Sequence, residues 1–295
     1  MNAEPKRRTS RPGGRAARHA LRAAPLAADV TPVRAGLPGG TFNPLSQDDI
    51  LAIHEAALTA LEEIGLADAP PSGVDIMTRA GATLGEDKRL RFPRALVMQS
   101  LELAAREITL HGRDPAHDLH LSGSKVHYGT AGAAVHLVDV ESGTYRESTL
   151  QDIYDAARIA DRLDNVHFLQ RPMVPRDIPD AQELDLNTLY ACLSGTTKHV
   201  GSSFVDAVTV PMCLDFLREV AGGDAAWRAR PFVSNSNCFV VPPMKFATES
   251  CLVMEACIEA GMPVLLLSAG QAGATAPAPI AGAIVQAVAE CLAGV

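Results

Sequence analysis

At 295 residues and 31.1 kDa, with 47% hydrophobic residues and a mean hydropathy of +0.08, the chain is globular in composition and long enough to bury a sizeable core. A net charge of −8 and a pI near 5.6 argue against a general nucleic-acid binder, which needs clustered Lys and Arg to neutralise phosphate. No apolar run approaches the ~20 residues of a membrane span, so a cytoplasmic protein with no membrane and no nucleic-acid partner is expected.

The one basic cluster, Lys6-Arg7-Arg8 through Arg22, lies in a Pro/Gly/Arg/Ala-rich stretch, and residues 1–40 are expected to be a disordered basic tail. Residues 41–107 form an N-terminal helical segment by pattern. Ser46 with Asp49 three residues on is a capping-box signature ahead of Ile50, Ile53, Ala57, Leu61 and Ile64, and Gly65 closes that helix. A second helix follows Pro70-Pro71-Ser72, and Phe92-Pro93 introduces a third. Over 108–147 the apolar period changes to two, with Gly123, Gly129, Gly132 and Gly143 as turn punctuation. This predicts a small antiparallel sheet, placed to cap one end of the domain that follows.

Residues 148–295 repeat a strand-then-helix unit. Measured from Val166, Val200, Phe232 and Val264 the steps are 34, 32 and 32 residues, the length of a βαβ crossover. Thr149 opens one helix, and later helices are expected to start near Asp180, Asp206, Pro243 and Pro277. About four βα units can be counted, and a barrel needs eight to close. The fold class expected is therefore α/β, an incomplete (β/α)8 TIM barrel with an N-terminal helical segment and a small antiparallel sheet, in a longer chain. A complete doubly wound domain is the alternative.

The stretches Gly129-Thr-Ala-Gly132, Lys198-His199-Val-Gly-Ser-Ser203, Ser234-Asn-Ser-Asn-Cys238, Pro242-Pro243-Met-Lys-Phe246 and Ser268-Ala-Gly-Gln-Ala-Gly-Ala-Thr-Ala-Pro277 resemble the trimethylamine:corrinoid methyltransferase family from about Gly39 to Val295. The resemblance implies a (β/α)8 barrel that moves a methyl group from a methylated amine, trimethylamine or a quaternary amine such as glycine betaine, to the Co(I) corrinoid of a partner protein. It implies methanogenesis-type C1 metabolism, a homo-oligomer when full length, and no cofactor bound permanently by this chain, the corrinoid (cobamide) being carried by that partner. Some members of the family carry pyrrolysine, which does not occur in these residues. The alternative is a catalytically incomplete fragment, or a module that only binds the corrinoid protein.

In a barrel the reacting groups follow the carboxyl ends of the strands. His199 is the candidate catalytic acid–base group, against the ordinary reading of a hydrogen-bonded core histidine. Candidate substrate-binding residues are Tyr128, Gln170, Arg171, Ser203, Asn235, Asn237, Ser268 and Gln271. Asn235 and Asn237 share one side of a strand and are expected to aim both amides into the barrel mouth, unless they cap loop backbone. Gln170 and Arg171 could bind a carboxylate, or form a surface loop ahead of Pro172. Gly270 and Gly273 are candidate cofactor-binding positions where backbone approaches a ligand closely, and a rival reading places a phosphorylated metabolite there. Aromatic residues for a cation cage are few: Phe204 lies near the mouth, and Trp227 is expected in a polar loop. No metal site is expected, since the histidines lack ligand spacing, and the six cysteines are expected to be reduced.

Overall fold

The computed structural model describes Ala17, His19, Ala20, Ala24 and residues 35–295, so the expected basic tail lies largely outside the described residues. After the short strand β1 (Leu37–Pro38), Ser46 caps α1 (Gln47–Thr59) as its sequence predicts. The Ser46 hydroxyl accepts from the Asp49 N–H at 3.1 Å, and the Asp49 carboxylate accepts from the Ser46 N–H at 3.1 Å. A π-turn over Ala60–Ile64 carries the helix to Gly65, where φ is +68° and a Cβ would collide with the Leu90 carbonyl.

The amino-terminal segment holds strands as well as helices. β2 (Leu66–Ala67), α2 (Pro71–Ala80), β3 (Thr83–Leu84), β4 (Arg89–Arg91) and α3 (Arg94–Leu103) follow in order. These strands are too short to show a period-two pattern, which is why the sequence suggests helices alone.

The next region is not one antiparallel sheet. β5 (Ile108–Leu110) pairs with β6 (Leu119–Leu121), β7 (Lys125–Val126) with β1, and β8 (His136–Val138) with β9 (Tyr145–Glu147), as three separate ladders. Between β7 and β8 the chain instead runs parallel to the segment after His167, bridging Gly129 to Phe168 and Ala134 to Met173. Gly123 and Gly143, with φ of +55° and +68°, sit in turns as expected, whereas Gly129 and Gly132 serve close approach: a Cβ at Gly129 would enter the Phe168 ring, and one at Gly132 would meet the Arg171 carbonyl.

The repeating units then appear: α4 (Leu150–Arg162), β10 (Leu169–Gln170), α5 (Ala181–Gly195), β11 (Val200–Ser202), α6 (Val210–Ala221), α7 (Asp224–Ala229), β12 (Val233–Asn237), β13 (Val240–Val241), β14 (Lys245–Phe246), α8 (Thr248–Glu259), β15 (Val264–Leu266) and α9 (Ile280–Gly294). Thr149 and Asp180 cap α4 and α5 as expected. Three starts are shifted. Thr209 rather than Asp206 precedes α6, the β13–β14 hairpin occupies the place expected to start a helix at Pro243, and α9 begins at Ile280.

β10, β11, β12 and β15 form a parallel sheet in chain order, with Leu169, Val200 and Val233 in register. Those three face α4–α7 in a core with Ile153, Leu189, Leu217 and Trp227. Trp227 is not in a polar loop but fully buried on α7, its indole N–H donating to the Ala260 carbonyl at 3.0 Å. A second core joins Leu61, Leu66, Leu90 and Phe92 to Phe239, Phe246, Met254 and Ala289. It lies beneath a mixed five-stranded sheet of order β13-β14-β2-β4-β3, in which Lys245 of β14 pairs with Ala67 of β2. No helix among the described residues is long and apolar enough to cross a membrane.

Two charged side chains tie connections to this frame. Lys198 is buried, and its Nζ donates to the carbonyls of Ala160, Leu163 and Val166 at 2.7, 2.8 and 2.6 Å, closing the carboxyl end of α4. Asp118 accepts both guanidinium nitrogens of Arg230 at 2.9 and 2.8 Å and the Gly112 N–H at 3.0 Å, fixing the β5–β6 hairpin to the approach to β12. Burial tends to raise the Asp118 carboxyl pKa, but Arg230, His111 and the Gly112 amide outweigh it and hold it below the ordinary carboxylate range. Asp118→Asn is expected to cost about 1–2 kcal/mol, discounted for partial exposure. Hydrogen exchange should register faster opening of β5 and β6 than of β11; equal protection in variant and parent would contradict this.

Candidate functional site

Side chains alternate across the parallel sheet, and the face opposite the helices is concave. Phe168 just before β10 and Gln170 in it, His199 and Gly201 at β11, Ser234 and Ser236 from β12, and Leu265 from β15 lie on it. With Ile108, Leu110, Leu121, Lys125, Val126 and His127 from β5–β7 and the residue after them, the side chains of Phe168, Gln170, His199, Ser234, Ser236 and Leu265 line a cavity of about 470 Å³. The size suits a small organic molecule, and the walls are mainly apolar with a few convergent polar groups.

Gln170 is the polar group on the sheet whose placement is most closely fixed. Its side chain crosses β11 directly over Gly201, where a Cβ would collide with Oε1, and reaches β12. There Oε1 accepts from the Ser236 hydroxyl at 3.0 Å. The Thr130 hydroxyl donates to the Gln170 carbonyl and holds the backbone from the other side. In this orientation Nε2 makes no hydrogen bond among the described residues, leaving a fixed amide donor toward the cavity.

His199 shares the cavity wall but is committed on both ring nitrogens. Nδ1 faces the His111 carbonyl at 2.8 Å, which can only accept, so Nδ1 carries the proton and Nε2 accepts from the Ser234 hydroxyl at 2.9 Å. Burial lowers its pKa to about 4, so the ring is neutral at pH 7. The geometry is that of a strut between the β5 connection and β12, not of an acid–base group with a free nitrogen.

The asparagines point the other way. Asn235 and Asn237 do share a side of β12, but it is the side facing α8: Asn237 Nδ2 donates to the Ser250 carbonyl at 2.9 Å, and Asn235 is fully buried. The expectation that they enter the mouth is corrected by the alternation itself, since Ser234 and Ser236 occupy the concave face. Arg171 likewise turns behind the sheet and is 9% exposed, so it is no surface loop and offers no fork to a solute. Tyr128 stands at the edge beside the segment preceding β10, half exposed, its ring 6.0 Å from that of His167. Ser203 follows β11 directly at the rim, half-buried. Phe204 is a core residue.

The Ser268–Pro277 stretch is a self-contained turn. Ser268 donates to Glu290, a fully buried carboxylate that also accepts from the Met244 N–H at 2.8 Å and from Gln286 Nε2 at 3.0 Å. The Gln271 carbonyl accepts from the N–H groups of Ala274, Thr275 and Ala276. Gly273, with φ of +81°, gives its N–H to the Ala276 carbonyl, and Gly270 lies against Ala276 and Gln286. These amides are consumed within the turn, and α9 starts only at Ile280, so no phosphate cradle is formed. Glu290 escaped the sequence reading, although the one charged residue in the mainly apolar α9 was a signal. Ser236 and Gly201 were overshadowed by the more polar asparagines beside them.

The model of a family described as trimethylamine methyltransferase matches residues 11–295. The chain belongs to the trimethylamine methyltransferase family. Among this family member's relatives, a trimethylamine methyltransferase of Desulfitobacterium hafniense is 29% identical over 241 residues, 81% of this chain and 48% of that one. One from Methanosarcina mazei is 29% identical over 264 residues, 88% and 53% of the two chains. A glycine betaine methyltransferase of D. hafniense is 29% identical over 256 residues, 86% and 52%. The family member spans about half the length of the curated relatives it matches.

Proposed function

We propose that this chain supplies one half of the methyl-donor site of a corrinoid-dependent methyltransferase, acting on trimethylamine or a quaternary amine such as glycine betaine. The observation that carries the reading is the concave cavity presenting the free Gln170 amide, in a chain whose relatives are named for those two substrates. A singly wound strand order, with helices on one face only, supports part of a (β/α)8 barrel over a doubly wound sheet, whose order reverses midway. Assembly of the longer protein as a homo-oligomer belongs to the same proposal.

Each wall has a task in that reading. Phe168 and Leu265 offer apolar surface to N-methyl groups and keep water away, the Phe168 ring adding attraction for a cationic nitrogen. Gln170 Nε2 donates to a substrate carboxylate where there is one and fixes its orientation. The corrinoid supplies the Co(I) nucleophile when bound. A cavity of about 470 Å³ suits the amine and not a macrocycle, which accords with delivery by a partner protein over the rim.

The longer protein, mixed with its corrinoid partner, a reductant and a panel of methylated amines, should consume Co(I) absorbance with at least one of them; no loss with any amine overturns the reading. Gln170→Ala is expected to lower kcat/KM about tenfold, the value of one lost hydrogen bond to a bound substrate. Gly201→Ala should act in the same direction by pushing the amide off Ser236.

A further inference from the structure

The segment between β7 and β8 covers the outer edge of β10, and a histidine holds its first rung. Tyr128 and His167 exchange two hydrogen bonds: the His167 N–H donates to the Tyr128 carbonyl at 2.7 Å, and the Tyr128 N–H donates to the His167 ring at Nδ1, 2.9 Å away. Nδ1 can accept only while it carries no proton, so the neutral ring keeps its proton on Nε2. Beyond this clasp come the Gly129–Phe168 bridge, the Thr130 hydroxyl donating to the Gln170 carbonyl, and the Ala134 N–H donating to the Pro172 carbonyl at 3.0 Å.

His167 is only 6% exposed, and no carboxylate bonds to its ring among the described residues. From the β7 side the His127 ring lies edge-on with its centroid 6.1 Å away, and the Tyr128 ring is at 6.0 Å. From the β11 side the Lys198 ammonium reaches the adjoining Val166 carbonyl, and the charges of Asp161 and Asp164 act on that ammonium rather than on the ring. Burial first, then His127 and Lys198, lower the His167 pKa from its ordinary 6.5. A second proton on this ring would turn Nδ1 from acceptor to donor and set it against the Tyr128 N–H.

We propose that His167 is a pH-sensitive latch on the segment 128–134: protonation of its ring breaks the Tyr128 rung and frees the edge of β10. His127 and Phe168 flank the latch and line the cavity, so acid loosens that wall. The closed latch contributes its stability in full above about pH 6.5 and loses it as pH falls through the lowered value of the closed state. It stands on the geometry of the clasp, whatever substrate the cavity takes.

Amide exchange in the unsubstituted protein should show the protection of the Tyr128 N–H, corrected for intrinsic rates, falling about tenfold between pH 7 and pH 5. His167→Asn sets a carboxamide oxygen near the place of Nδ1, where it accepts from Tyr128 and cannot titrate, so the fall should disappear. Constant protection in the unsubstituted protein overturns the proposal, and so does the same fall in the variant. Should the variant fail to fold, ring-nitrogen NMR of the unsubstituted protein decides. The Tyr128 amide shift should follow the His167 ring with one midpoint, and two separate midpoints overturn the latch.

Discussion

Lys198→Met is expected to lower the free energy of unfolding by about 3 kcal/mol, the largest effect foreseen for a single side chain here. Three backbone carbonyls at the end of α4 converge on one ammonium within 2.6–2.8 Å. Met matches the stem in length but gives those oxygens nothing, and also removes the positive charge that complements the carboxyl end of the helix. Hydrogen bonds to a charged donor are worth about 1.5–3 kcal/mol each, but the Ala160 and Leu163 carbonyls keep their turn partners Leu163 N–H and Val166 N–H, so the loss is less than the sum. Urea denaturation of the variant should show a lower midpoint with an unchanged slope. A shift below about 0.5 kcal/mol would mean that the ammonium is replaced there without loss, and the capping role would be refuted.

His199 should give the protein a pH-dependent stability of comparable size. Burial holds the folded imidazole at about 4, against 6.5 for the free side chain. Between those values the unfolded chain binds the extra proton and the folded chain does not. The contribution is thus complete above about pH 6.5 and is lost as pH falls toward 4, by about 3 kcal/mol in all. His167, whose pKa burial also lowers, adds to the same limb. His199→Gln can still donate to the His111 carbonyl but cannot protonate, so the difference between the two stability curves isolates this ring. The curves should converge from pH 7 to pH 4. Parallel curves would show that the ring titrates normally in the folded protein.

The sequence made the first repeating units legible because α4 and α5 each have buried residues at helical spacing and a side-chain cap; Thr149 and Asp180 stand where the pattern puts them. It could not reveal the β2–β4 strands or the β13–β14 hairpin. Segments of two or three residues carry no period, and their pairing joins parts of the chain far apart in sequence. At the site the strands were located but not their ends, since Gln170, Ser202 and Asn235–Asn237 lie within β10, β11 and β12 rather than past them, and the face each residue presents was not read. Gln170 was found, but Asn235 and Asn237 were preferred over Ser234 and Ser236 because amides are the more conspicuous group. Only the register with β11, which sets Ser202 beside Asn235 and Gly201 beside Ser234, determines which side is which. Lys198 and Glu290 illustrate a related limit: a buried charge takes its meaning from carbonyls and amides supplied by other segments.

The second core has a consequence for biosynthesis. Leu61, Leu66, Leu90 and Phe92 find their cover in Phe239, Phe246, Met254 and Ala289. A ribosome working at about 5–20 residues per second needs on the order of ten to forty seconds to make the intervening stretch. Throughout that interval the early leucines have only one another and lack their carboxyl-terminal cover, and the nascent chain presents a greasy surface well suited to chaperone capture.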